Sequence, residues 1–251
     1  MNPFQFKKII LASNSSRRRE LMAEAGFCFQ VLPADSNVET VYDSENFVSP
    51  TEFVCQEALM KAQNVAARFP NEDLVVIGCD TVAVCQGEIL GKPADRADAK
   101  RMLTMLSGSE HEVISGLCLL NPAVPEAQIL EPVVTRLVMD PISDEMLQSY
   151  LNSGKWEGKA GAFGYQDGND WLRILSGTES NVVGLPMERL TEILKPSDGW
   201  FRLEPESESK QESKMKPGRK NGTDFNRNSG KNSEKKFGKN QKRGAKKRNE
   251  K

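Results

Sequence analysis

The chain has 251 residues, 38% apolar and 27% charged, with a formal net charge of −1. That near-neutral total averages two unlike parts: residues 198–251 carry 17 Lys+Arg against 8 Asp+Glu, and residues 1–197 carry 17 against 27. No run approaches the roughly 20 apolar residues of a membrane helix, one histidine excludes a multi-histidine metal centre, and five cysteines without a CxxC pair speak against zinc sites and disulfide frameworks.

The first predicted element is a buried strand over residues 8–12, with Ile9-Ile10-Leu11 as its apolar run. This stretch is too short for a secretory signal. Polar residues 13–16 then lead into Arg17-Arg18-Arg19, which starts a helix ending near Gly26. A hydroxyl at Ser13 and guanidiniums at Arg17 and Arg18 on a strand-to-helix turn suit a polyphosphate, which helix-start N–H groups and bidentate cations both favour. An ordinary basic helix start is the alternative. It runs against the helix dipole, which prefers acids there, and a bound anion resolves that conflict.

Ser49-Pro50-Thr51-Glu52 is a capping box with proline at the first helical position, and its helix runs to about Phe69. Residues 74–84 are β-branched and apolar, interrupted by Gly78-Cys79-Asp80-Thr81, and Gln86-Gly87-Glu88 is a turn into Ile89-Leu90. A carboxylate at Asp80, within or at the end of a buried strand, must be paired, hydrogen-bonded or metal-bound. It suits a Mg²⁺ ligand, a base for a water, or a structural strand-end group. Lys92, in Gly91-Lys92-Pro93, puts an ammonium in a tight loop soon after, a weak phosphate signal by itself.

Residues 94–106 show a helical stripe at 99, 102, 103 and 106, and residues 113–120 and 129–138 are consecutive strands. His111 lacks a Ser or Cys partner and is expected to be a structural hydrogen-bonding residue. Ser143 caps a helix through Leu151, stopped by Gly154. Residues 156–166 are glycine-rich without a Walker or dinucleotide fingerprint, and Gln166 offers both a donor and an acceptor. A strand over 171–175 and a helix over 186–194 complete an α/β body with a mixed sheet. Beyond Pro196 apolar residues become too sparse to offset ordering entropy. The expectation is one domain over 1–196 and a disordered basic tail over 197–251.

Taken together, the blocks Leu11-Ala12-Ser13…Arg17-Arg18, Gly78-Cys79-Asp80-Thr81, Leu90-Gly91-Lys92-Pro93, Ser107-Gly108…His111-Glu112-Val113, residues 159–166 and residues 180–186 resemble the Maf family of nucleoside triphosphate pyrophosphatases, once described as septum-formation proteins. The resemblance covers about residues 8–195. It implies a Maf or inosine triphosphatase-like fold, cleavage of a nucleoside triphosphate between its α and β phosphates, a divalent metal (Mg²⁺ or Mn²⁺) and homodimers; a cytoplasmic place is expected from the cysteines, read as buried free thiols of a reducing compartment. On it, Asp80 is the proton acceptor and, with Glu39, a metal ligand. Ser13, Arg17, Arg18, Lys61 and Lys92 hold the triphosphate, and Arg17, Thr81 and Gln166 select the base. Asp80-Thr81 resembles the branch acting on dTTP and UTP; the branch acting on 7-methyl-GTP typically has Asp-Gln. Ser16 stands where the family usually has proline, Val38 replaces the first acid of a pair with Glu39, and Gln56 replaces a frequent arginine.

A reading from another class is an RNA- or ribosome-associated protein acting through its basic tail. Truncation after Pro196 decides it. If the tail acts, salt-sensitive RNA binding is lost on truncation; unchanged binding rejects that role.

Overall fold

A computed structural model of the chain describes residues 4, 8–38, 49–168 and 170–194. The expected tail over 197–251 and the metal-ligand candidate Glu39 lie outside the described residues. The strands are β1 (Ile9–Leu11), β2 (Gln30–Val31), β3 (Val75–Cys85), β4 (Glu88–Leu90), β5 (Glu110–Leu120), β6 (Gln128–Met139) and β7 (Leu172–Ser176). They form a seven-stranded sheet in the order β2-β1-β3-β5-β6-β7, with β4 paired to β3. Strand β1 runs parallel to β2 and β3, and every other pairing is antiparallel. The mixed sheet expected from the sequence is therefore present.

Among the described residues six α-helices accompany this sheet: α1 (Ser16–Glu24), α2 (Pro50–Ala66), α3 (Arg96–Leu106), α4 (Asp144–Asn152), α5 (Glu179–Val183) and α6 (Met187–Leu194). The local signals act as expected. Ser49 Oγ accepts from the Glu52 N–H at 3.1 Å with Pro50 opening α2, and Ser143 caps α4.

Strand β3 carries the architecture because alternate residues of a strand face opposite sides. On one side Val76 packs with Ala58, Ala62 and Val65 of α2. On the other, Ile77 and Cys79 pack with Leu190 and Ile193 of α6, and Ala83 packs with Leu103 of α3 and Leu151 of α4. Asp80 therefore faces α2, and Thr81 faces away from it towards Ser115 of β5. Of the five cysteines, Cys79, Cys85 and Cys118 are buried, Cys28 is exposed and Cys55 is half-buried. Burial pushes the Cys118 thiol up to about 12.

Candidate active site

Helix α2 buries a stripe that includes Phe53, Val54, Glu57, Ala58, Lys61, Ala62 and Val65. The stripe follows the 3.6-residue period, so Glu57 and Lys61 go inwards whatever their charge. A buried ammonium needs compensation. Lys61 Nζ donates to Asp80 Oδ1 at 2.6 Å and lies 3.8 Å from Glu57 Oε2, with the Lys61, Asp80 and Glu57 side chains 7%, 18% and 2% exposed. Asp80 is the most open of the three.

On the opposite side of β3, the β1–α1 turn delivers Arg18. Its Nη1 donates to Ser13 Oγ at 3.1 Å, its Nη2 to Thr81 Oγ1 at 3.2 Å and its Nε to the Gly184 carbonyl at 2.7 Å. These acceptors are all neutral. Among the described residues no carboxylate forms an ion pair with Arg18, so its positive charge is available to an anion. Thr81 Oγ1 also meets Ser115 Oγ at 2.8 Å. The glycine before Leu185-Pro186 thus supplies its carbonyl to the arginine, which explains why that late segment belongs to the site.

Arg17 turns the other way and donates from Nη2 to the Gly158 carbonyl at 3.2 Å. Burial lowers its pKa from the ordinary value, Arg18 adds to that, and Asp167 and Glu20 oppose it. A guanidinium so placed is relieved by a bound anion. Helix α1 has no acid in its first turn, and Ser15 caps it by accepting from the Arg18 N–H.

One cavity of about 960 Å³ is lined by Arg17, Arg18, Lys61, Asp80, Thr81, Lys92 and Gln166. Seven residues singled out from the sequence are thereby brought together. Lys92 and Gln166 stand exposed at its wall. Ser13 is 6% exposed and lies behind Arg18, so the geometry makes it an anchor for the guanidinium. The Thr81 hydroxyl has a similar place, engaged with Arg18, Ser115 and Gly184. Arg19, also basic, is exposed.

His111 is 3% exposed, with Nδ1 3.4 Å from the Ser109 carbonyl and its ring edge-on to Phe163 at 5.4 Å. Burial lowers its pKa, and its Nε2 finds no hydrogen-bond partner among the described residues. It is a core residue, as the missing nucleophile suggested.

Sequence reasoning missed Glu57 and the group Tyr150, Lys159 and Asp167. Glu57 had a signal: it precedes Lys61 by four residues on the same helical face as Phe53. The second group had none, because its contacts depend on the turn over 160–168. Among the described residues no group of three His, Cys, Asp or Glu side chains is placed to hold a metal ion, and no helix is long and apolar enough to cross a membrane.

The chain is similar to known proteins over most of the described body. The family model described as Maf-like protein matches residues 8–197. A dTTP/UTP pyrophosphatase of Rhodopirellula baltica is 47% identical over 190 residues, which covers 75% of this chain and 82% of that one. A protein of the same description from Koribacter versatilis is 42% identical, covering 74% of this chain and 93% of that one. Among solved structures, a HAM1 protein from Coxiella burnetii is 16% identical with a TM-score of 0.41, covering 75% of this chain and 98% of that one.

Proposed function

Because the chain belongs to the Maf-like proteins, matched over residues 8–197, we propose that it is a nucleoside triphosphate pyrophosphatase acting on dTTP and UTP. The observation that carries this reading is the meeting, in one cavity, of the partly open Asp80 carboxylate with the guanidiniums of Arg17 and Arg18, neither of which forms an ion pair among the described residues.

The chemistry needed is modest. Hydrolysis of the α–β anhydride by water yields the nucleoside monophosphate and pyrophosphate. Arg18 and Lys92 meet the phosphates as charged donors, which stabilise charge most strongly where water is excluded. Ser13, Thr81 and the Gly184 carbonyl hold Arg18 in place, so little reorganisation is needed when charge develops. Asp80 accepts a proton from the attacking water. Lys61 fixes that carboxylate and Glu57 in turn steadies Lys61. Arg17, Thr81 and Gln166 form the wall assigned to the base.

A divalent cation fits the residues present. Asp80 offers a hard carboxylate oxygen at the cavity, and Mg²⁺ commonly takes only one or two carboxylates and completes its shell with water and substrate phosphates. Mg²⁺ or Mn²⁺ would be held by Asp80 with Glu39, and would neutralise charge on the phosphates. A cytoplasmic place, a homodimer and weak nucleic-acid contact by residues 197–251 belong to the same reading. They rest in turn on the cysteine usage, on family likeness and on the charge count.

A panel of nucleotides tests it. With Mg²⁺ or Mn²⁺, pyrophosphate release is expected to be fastest from dTTP and UTP. A preference for 7-methyl-GTP would move the chain to the other branch, and absence of turnover with every triphosphate would overturn the reading.

A further inference from the structure

Tyr150, Lys159 and Asp167 form a polar cluster that the reaction above leaves unused. Tyr150, near the end of α4, is 8% exposed and packs edge-on against Trp171 at 5.6 Å. Its hydroxyl donates to Asp167 Oδ2 at 2.7 Å and accepts from the Gly164 N–H at 3.2 Å. Lys159 Nζ lies 2.6 Å from each oxygen of Asp167. One carboxylate therefore binds a rigid aromatic on a helix and an ammonium eight residues upstream in the chain. Burial and the Asp167 carboxylate both push the Tyr150 hydroxyl upward, so it stays a donor.

The cluster is built into the backbone. A Cβ at Gly164 would sit 2.5 Å from Lys159 Nζ and 2.6 Å from Asp167 Oδ2, so a side chain there would push the ends of the pair aside. The same segment contains Ala162 at φ 62°, a left-handed conformation that costs a non-glycine residue energy. Such a conformation persists where the surroundings over-determine it. The two ends of the stretch 159–167 are tied by the ion pair, and its short helical turn Tyr165–Asp167 carries Gln166 towards the cavity. Asp167 also acts at a distance on Arg17, whose charge it favours.

We propose that Asp167, clamped between Tyr150 and Lys159, is a positioning residue for base selection: it fixes the turn that presents Gln166. This rests on the nucleotide-pyrophosphatase reading. The chemistry is specific. A uracil or thymine edge offers an N3–H donor beside a C4 carbonyl acceptor, and one glutamine amide can accept from the first and donate to the second. Cytosine reverses both positions. Discrimination of this kind depends on an amide whose place does not drift, since a shift of about 1 Å costs on the order of 100-fold. A turn held only by its own backbone would let the amide shift, and the clamp prevents it.

The test compares dTTP, UTP and CTP on the full chain. Asp167→Asn keeps an acceptor for Tyr150 and removes the charge that Lys159 needs. It is expected to raise KM for dTTP and UTP about 10-fold, leave kcat within about threefold, and lower the preference for UTP over CTP about 10-fold. Tyr150→Phe, which leaves the ion pair in place, is expected to shift the same preference in the same direction. In a Gln166→Ala background Asp167→Asn should add nothing to the loss of preference. An unchanged UTP/CTP ratio in Tyr150→Phe overturns the inference, as does full additivity with Gln166→Ala. If Asp167→Asn does not fold, the Tyr150→Phe ratio decides. Failure of the unmodified protein to hydrolyse any triphosphate would sink the functional reading instead, so the two failures are told apart.

Discussion

Asp80→Asn is expected to lower kcat for pyrophosphate release about 1,000-fold, within the range of about 100 to 10,000 typical of a lost general base, while the protein still binds triphosphate. The substitution is nearly isosteric, and the asparagine carbonyl can still accept from Lys61 Nζ, which now lies 2.6 Å from Asp80 Oδ1. Glu57, 3.8 Å from the same ammonium, keeps that charge compensated. The fold therefore survives. Binding survives too, because Arg18 is held by Ser13, Thr81 and Gly184, none of which depends on Asp80. The measurement pairs single-turnover kinetics on dTTP with calorimetric binding of a triphosphate analogue that cannot be cleaved. Retention of more than about a tenth of the rate would mean that Asp80 is the strand-end structural carboxylate its position also allows. Loss of binding together with rate would make it an organiser of the pocket.

Seven residues singled out from the sequence meet in the candidate site's cavity, and there is a physical reason that several of them stand out. Charged side chains set among apolar runs stand out, and Asp80 within a buried strand or Arg17-Arg18 at a helix start conflict with their local surroundings. Such conflicts mark function. What escaped was whatever lacked that contrast. Strand β2 has two residues and α5 has five, too few to show a period. Glu57 has only its spacing to mark it, four residues before Lys61 on the Phe53 face, and that spacing gains a meaning once the helix is docked. Asp167 lies among Gly164, Gly168 and Asp170, which resembles an ordinary turn, and its meaning depends on Tyr150 arriving from α4. The charge of Lys61 shows the limit most clearly. Its inward direction follows from periodicity with Phe53, Ala58 and Val65, yet its partner across the layer is set only by the β3 register.

The largest stability effect is expected at two glycines that no motif marks as structural together. Gly78 of β3 lies under α2 so closely that a Cβ would overlap the Ala58 carbonyl oxygen and sit 2.9 Å from Ala62 Cβ. Gly116 of β5, which pairs with Asp80, has α2 equally near: a Cβ there would overlap the Val54 carbonyl and come within 2.7 Å of the Cys55 nitrogen. Adjacent strands thus each give up a side chain so that one helix can rest on the backbone of the sheet. The obstacle is backbone, which cannot rotate away as a side chain would, so α2 itself must lift. Overpacking typically costs 1–3 kcal/mol, and Gly78→Ala and Gly116→Ala should each stand at the upper end, about 3 kcal/mol. With roughly 2–4 °C per kcal/mol for a domain of this size, the melting temperature should fall by about 6–12 °C in a thermal scan. Activity should fall more than stability does, measured at a temperature where the variant is still folded, because a lifted α2 carries Lys61 and Glu57 away from Asp80 while Arg17 and Arg18, on α1, stay in place. Triphosphate binding is then retained and turnover is lost, the pattern of Asp80→Asn reached without touching a charged residue. A variant with an unchanged melting temperature would show that α2 does not rest on the sheet as closely as described, and the Lys61–Asp80 pair would lose its structural basis.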